Sequence, residues 1–287
     1  MRSEQEMMKI LIDFAKEDDR IRLVTLEGSR TNPNITPDSF QDYDLSYFVT
    51  DMNSFKENDQ WLHIFGKPVM IQKPEDMELF PSELGNWYSY LILFEDGNKL
   101  DLTLIPIHEA DDYFANSDGL VEVLLDKDQL VKHEVIANDR QYWIKKPTAG
   151  EFDDCCNEFW MASTYVVKGL GRKEILFAID HLNGIARPNL LRMMAWRIGI
   201  EQGYSFSVGK NYKFINRYLS DEDWEKLLST YAESGYPEMW QSLLTCYELF
   251  RTYSKAVSES LGYKYPEYDE VITKYTETIY TKENGLF

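Results

Sequence analysis

Apolar residues recur with two different periods along this chain, and the change comes near its middle. Residues 4–18 place Met7, Met8, Leu11, Phe14 and Ala15 on one stripe, which predicts an amphipathic helix. Short apolar or alternating runs follow: IRLVTLE (21–27), YDLSYFVT (43–50), KPVMIQK (67–73), YSYLILFE (88–95), KLDLTLIP (99–106) and VEVLLD (121–126). Their length and β-branched or aromatic content predict strands. Asp96-Gly97-Asn98 joins two of them as a hairpin turn. Residues 28–41, rich in Ser, Thr, Asn, Pro and Asp, predict a loop.

From about Thr148 the period becomes helical. Phe152, Phe159, Ala162, Tyr165 and Val166 mark a helix over 149–170. Residues 173–203 predict one long helix or two kinked ones, interrupted near Gly184 and Pro188. Ser220 with Asp223 resembles a capping box ahead of another helix. Residues 236–261 predict the final long helix. The fold class is therefore α+β. A mixed β-sheet flanked by helices occupies residues 1–146 and a helical bundle 147–287, with the Lys145-Lys146-Pro147 turn between them.

Composition narrows the function classes. With 44% apolar and 14% aromatic residues, 287 residues suffice for substantial cores. Forty-nine acidic residues against 30 basic ones give a net charge of −19. That field disfavours nucleic acid and steers cationic ligands toward the protein. Cys155, Cys156 and Cys246 have neither metal-ligand nor disulfide-framework spacing, which suits a reducing, cytoplasmic setting. The acidic N-terminal segment is no secretory leader, and no apolar run reaches membrane-span length. His63, His108, His133 and His181 form no zinc motif.

One constellation carries chemistry. Gly28-Ser29-Arg30 follows a strand, and Asp42-Tyr43-Asp44 opens the next. Residues i and i+2 of a strand share a face, so Asp42 and Asp44 project side by side. Two such carboxylates repel unless a cation lies between them, and hard oxygen ligands suit Mg²⁺. In KLDLTLIP the leucines alternate with Asp101 and Thr103, so Asp101 faces away from the leucine core. Asp101 beside the Asp42/Asp44 pair would complete a three-carboxylate, two-metal site. Gly28 permits close backbone approach to a phosphate, Ser29 offers a hydroxyl and an N–H, and Arg30 adds a charge.

A strand, a Gly-Ser turn, a loop, Asp-x-Asp on a second strand and a later strand Asp together resemble the nucleotidyltransferase fold of the DNA polymerase β superfamily. The wording LEGSRTNPN…FQDYDLSYFV, LDLTLIP, EFWMASTYVVKGLGRKEILFAIDHLN and GKNYK is narrower. It resembles the bacterial aminoglycoside 6-adenylyltransferases, also called streptomycin adenylyltransferases, over nearly the whole chain. The resemblance implies a catalytic domain over 1–146 and a substrate- and nucleotide-contacting domain over 147–287. It implies transfer of AMP from ATP to the hydroxyl at position 6 of streptomycin, with release of pyrophosphate, as an antibiotic-resistance activity. It further implies two Mg²⁺ ions held by Asp42, Asp44 and Asp101, with Gly28, Ser29 and Arg30 at the phosphates. Asp101 is metal ligand first and general base second; Glu95 and Asp180 are the other carboxylates considered as base.

In the helical half, Lys168, Arg172 and Lys210 are candidates to meet the triphosphate. Glu158, Trp160 and Asp180 are candidates for the cationic acceptor, through guanidinium pairing and an aromatic face. A monomer is favoured. The alternatives are a relative of the same fold acting on another small-molecule or protein hydroxyl, and a non-catalytic nucleotide-binding relative.

Overall fold

The computed structural model describes residues 1–80 and 82–283. It divides into two compact units, Met1–Gln141 and a second beginning at Tyr142. The division precedes the Lys146/Pro147 turn because residues 142–147 are already tied to the helices that follow. Ile144 N–H donates to the Phe206 carbonyl at 3.0 Å, and Tyr263 Oη donates to the Pro147 carbonyl at 2.7 Å.

The first unit opens with α1 (Glu4–Glu17). Ser3 accepts from Glu6 N–H at 3.3 Å while Glu6 accepts from Ser3 N–H at 2.7 Å, a reciprocal cap that satisfies two orphan donors. Then come β1 (Ile21–Glu27), β2 (Tyr43–Val49), the one-turn helix α2 (Asn53–Lys56), β3 (Pro68–Gln72), β4 (Tyr88–Phe94) and β5 (Lys99–Pro106). Helix α3 (Ala110–Asn116) and strand β6 (Val121–Asp126) complete the unit. The six strands form one mixed sheet in the order β3-β4-β5-β2-β1-β6. Among the described strands only β2 and β5 are parallel neighbours.

The two faces of this sheet differ in chemistry. On one face Val24, Tyr47, Leu104 and Tyr88 lie in register, as do Leu26, Leu45, Leu102 and Tyr90. This apolar face is buried against Met7, Leu11 and Ala15 of α1. The opposite face grades along the strands. Leu23, Phe48 and Ile105 form its apolar end, under Tyr113 of α3. The next row holds hydroxyls: Thr25, Ser46, Thr103 and Ser89. The row after that holds Glu27, Asp44 and Asp101. A two-residue period thus sorts core, hydroxyl and carboxylate along one surface.

The second unit is helical: α4 (Ala149–Gly171), α5 (Ile175–His181), a π-helical turn (Leu182–Ala186), α6 (Arg187–Gln202), α7 (Asp221–Ser229), α8 (Tyr236–Leu261) and α9 (Tyr268–Glu283). The interruption expected near Gly184 and Pro188 is that π turn. Ser220 caps α7 by accepting from Asp223 N–H at 3.1 Å, but the Asp223 carboxylate accepts from Tyr253 instead, so only half of a capping box forms. Helix α8 is not the last: α9 follows it and packs on α4. No helix among the described residues is long and apolar enough to cross a membrane.

Candidate functional site

The Gly28–Arg30 turn is a single 3₁₀ turn leaving β1. Gly28 sits at φ +72°, a left-handed conformation that disfavours side chains. A Cβ there would lie 2.5 Å from Asp44 Oδ2, so the backbone lies directly against that carboxylate. Thr31 Oγ1 donates to the Gly28 carbonyl at 3.0 Å, and Gly28 N–H donates to the Leu120 carbonyl at 3.0 Å. Ser29 is half-buried in the middle of the turn.

Arg30 is committed elsewhere than to solvent. Its Nε donates to the Asp42 carbonyl at 2.9 Å and one terminal nitrogen to the Gln41 carbonyl at 2.7 Å. Its other terminal nitrogen pairs with Glu4 at 3.2 Å, and the guanidinium stacks 3.8 Å from the Tyr43 ring centre. With 6% of its side chain exposed, Arg30 pins both ends of the 30–42 loop. That arrangement differs from the expected phosphate contact: Nε and one terminal nitrogen donate to the loop backbone and the other terminal nitrogen pairs with Glu4, holding the two motifs together.

Asp44 and Asp101 are register partners on the parallel β2–β5 pair, and Asp42 lies two residues outward of Asp44. The Lys99 ammonium lies between the outer pair, 2.9 Å from Asp42 Oδ2 and 2.8 Å from Asp101 Oδ2. Burial pushes the Asp44 carboxyl up to about 6, and repulsion from Asp101 and Asp42 adds to that. Burial opposes the Lys99 charge, yet its bonds to Asp101 and Asp42 win and raise its pKa. Asp101 Oδ1 is buried and has no hydrogen-bond partner among the described residues.

These observations test whether a divalent cation fits. Repelling carboxylates, an orphaned buried carboxylate oxygen and an ammonium drawn in as counter-ion are what an all-oxygen cation site provides. Among the described residues no group of three or more acidic, His or Cys side chains is arranged as a metal site as it stands. Lys99, not a third carboxylate, bridges Asp42 and Asp101.

The sequence reading missed two members of this cluster. Glu27 ends β1 directly opposite Asp44 and accepts from Tyr113 Oη at 2.6 Å and from Thr25 Oγ1. Removal from water pushes its carboxyl up to about 7, against those hydrogen bonds and with a small push from Asp44. The other is Lys99. Both signals were present as i, i+2 neighbours, Thr25/Glu27 and Lys99/Asp101, on the face already inferred for the carboxylates.

The helical unit disposes its candidates differently. Glu158 lies with Glu151, Asp154, Arg192 and Trp196 around a cavity of about 730 Å³, formed by the first half of α4, the π turn and α6. Trp160 is a correction: it is 1% exposed, within the aromatic core made with Phe159, Tyr247 and Phe250, and cannot present a face to a ligand. Asp180 is exposed on α5, which removes the reason for expecting a buried partner. Lys168 is half-buried near the end of α4, its ammonium 5.1 Å from the Tyr165 ring and 5.4 Å from that of Phe177. Arg172 is exposed just beyond α4. Lys168 is ten residues on from Glu158, roughly 15 Å along the helix, so the acid-lined cavity and this basic end are separate places. Lys210 is exposed and followed by Asn211 (φ 55°) and Tyr212 (φ 61°), two strained residues of the kind that cluster at ligand sites. Glu95 is exposed and paired with Lys67.

Comparison with known proteins places this geometry in context. The sequence profile described as streptomycin adenylyltransferase matches residues 1–279. The chain is 77% identical over 280 residues to an aminoglycoside 6-adenylyltransferase of Bacillus subtilis (strain 168), covering 98% of this chain and 99% of that one. It is 57% identical over 275 residues to an aminoglycoside 6-adenylyltransferase of Campylobacter jejuni, covering 96% and 95%. A crystal structure of an aminoglycoside 6-adenyltransferase from Bacillus subtilis aligns over 98% of this chain and 99% of its own, at 72% identity and a TM-score of 0.49.

Proposed function

We propose, since this chain belongs to the streptomycin adenylyltransferase family, that it transfers AMP from ATP to the 6-hydroxyl of streptomycin and releases pyrophosphate. The chain is thus an adenylyltransferase; the acceptor, the nucleotide and the metal are our reading. The observation that carries it is the register of Asp44 with Asp101, beside Asp42 and against the Gly28-Ser29 turn.

Asp42, Asp44 and Asp101 are the residues that would hold Mg²⁺, two ions in our reading. The metal would clamp the triphosphate and offset charge developing at the α-phosphoryl group. Gly28, lacking a side chain, lets the turn lie against Asp44, and with Ser29, which offers its hydroxyl and N–H to a phosphate oxygen, it is our candidate for the phosphates. Arg30 fixes the loop that carries Asp42. Asp101 has two unequal oxygens: Oδ2 accepts from Lys99, whereas Oδ1 is unpartnered. We assign Asp101 to metal ligation first and to accepting the hydroxyl proton second. Lys168, Arg172 and Lys210 are the helical unit's candidates for nucleotide phosphates.

For the acceptor, the acid-lined cavity at Glu158 matches a guanidinium-bearing substrate in size and charge. Glu158→Gln is expected to raise KM for streptomycin about three- to tenfold, as loss of one partly exposed charged pair would. KM for ATP should stay within about twofold. Steady-state kinetics with each substrate varied in turn checks this, and equal changes in both constants would count against an acceptor role.

Mass spectrometry of streptomycin after incubation with the protein, ATP and Mg²⁺ tests the whole reading. One added adenylyl group is expected. Pyrophosphate release only with other hydroxyl acceptors would move the activity to another substrate; none with any acceptor would sink it. The three buried, free thiols, with Cys155 pushed up to about 12 by burial, fit the cytoplasmic setting we infer.

A further inference from the structure

We infer that Lys99 is a built-in counter-ion of the carboxylate site, displaced when a divalent cation binds and then turned to the nucleotide's phosphates. The inference rests on the reading of Asp42, Asp44 and Asp101 as the metal-holding set. Its own basis is the two ion pairs: one ammonium within 2.9 Å of Asp42 Oδ2 and 2.8 Å of Asp101 Oδ2.

Without a cation, the carboxylates of Asp42, Asp44 and Asp101 would face one another across two adjacent strands with only water to separate their charges. Lys99 sits at the start of β5, two residues before Asp101, and therefore projects from the same face one step further out. From there its flexible stem reaches inward to bridge Asp42 and Asp101. A divalent cation binds carboxylate oxygens at about 2.1 Å in the case of Mg²⁺. Using the same two oxygens, it would stand close to the ammonium, and two cations at that separation repel. Metal binding through those oxygens would therefore displace Lys99. The side chain is 39% exposed, so it has room to swing outward. A triphosphate arriving with the metal would be the nearest anion at the strand ends, and Lys99 is the basic residue already poised there.

The geometry gives Lys99 opposite effects on two binding steps, which a merely structural lysine would not produce. Lys99→Met keeps the aliphatic stem and removes the charge; Lys99→Arg keeps a cation. Mn²⁺ binding, followed by electron paramagnetic resonance in the absence of nucleotide, should tighten about tenfold in the Met variant, as loss of two partly exposed ion pairs implies. Binding of α,β-methylene-ATP at saturating Mn²⁺, followed by calorimetry, should weaken about three- to tenfold in the same variant. The Arg variant should stay within about threefold of the native protein in both. Unchanged or weaker Mn²⁺ binding by Lys99→Met, with circular dichroism showing a native fold, overturns the counter-ion role. Tighter Mn²⁺ with unaltered nucleotide binding overturns the phosphate role. Failure of both the native protein and Lys99→Met to bind Mn²⁺ would instead sink the metal-site reading beneath both.

Discussion

Asp44→Asn is expected to lower AMP transfer by at least about a thousandfold while raising the melting temperature of the metal-free protein at pH 8. The first effect follows from removing one charge of the set that would hold the metal, where electrostatic stabilisation of the transition state is concentrated. The second follows from the carboxyl's raised pKa. Asp44 sits near 6 in the folded protein against an ordinary 3.8, because burial and the neighbouring Asp101 and Asp42 disfavour its charge. Between those values the folded state holds a proton that the unfolded chain has released. Stability therefore falls as pH rises through that window, and the full penalty applies above about 6. Asn carries no such penalty. The gain at pH 8 is about 1 kcal/mol, because the site is partly open to solvent screening, or about 2–4 °C in Tm for a chain of this size. Below about pH 4 the two proteins should melt together. Thermal melts in EDTA across pH 4–8, beside pyrophosphate-release rates in Mg²⁺, check both arms. Near-normal turnover would refute the role of Asp44, and a lower Tm at pH 8 would refute the charge repulsion.

The two-residue alternation of KLDLTLIP and YDLSYFV separates an apolar face from a polar one. Strand neighbours then follow if the Asp-bearing runs pair, which they do. Their register is not written locally: nothing near Asp101 says that it stands opposite Asp44 rather than Ser46. Glu27 and Lys99 were passed over for a related reason. Each has the right parity, but only three-dimensional pairing reveals that a glutamate ending β1 and a lysine opening β5 join the same row and its rim.

The helical half was harder to read for another physical reason. Helix α4 is buried along much of its circumference, so its period cannot say whether Phe159 or Trp160 turns inward; both do. Glu158, adjacent in sequence, is exposed. Helix α9 has Tyr268, Ile272, Tyr275 and Ile279 at helical spacing, a signal the sequence carries and that was not used; Tyr268, Ile272 and Ile279 of that stripe pack on the helical core, and the helix lies on α4. Arg30 illustrates the opposite error. A basic residue beside a Gly-Ser turn invites a phosphate role, whereas the chain uses it as a clamp between loop ends.

Gly28→Ala should be nearly as damaging to catalysis as loss of a carboxylate, although it removes no chemical group. Two independent costs meet at this residue. Its φ of +72° is a conformation in which an added Cβ costs about 1–2 kcal/mol. The added atom would also stand 2.5 Å from Asp44 Oδ2, closer than stable contacts allow, and a tight 3.3 Å from Asp44 Cγ. Either the turn retreats or Asp44 rotates, and each moves a reacting group out of alignment. Displacements on the order of 1 Å cost about a hundredfold in rate, so kcat should fall by about two orders of magnitude or more. Stability should fall by about 1–2 kcal/mol, lowering Tm by roughly 2–8 °C. Gly262→Ala separates the two costs. Gly262 has nearly the same φ, +71°, but a Cβ there meets nothing within 4 Å. That variant should share the loss of Tm through backbone strain and keep native kcat. Calorimetry and single-turnover rates on the pair provide the comparison. If Gly28→Ala turned over at the native rate, the close approach of this turn to Asp44 would have no part in the reaction.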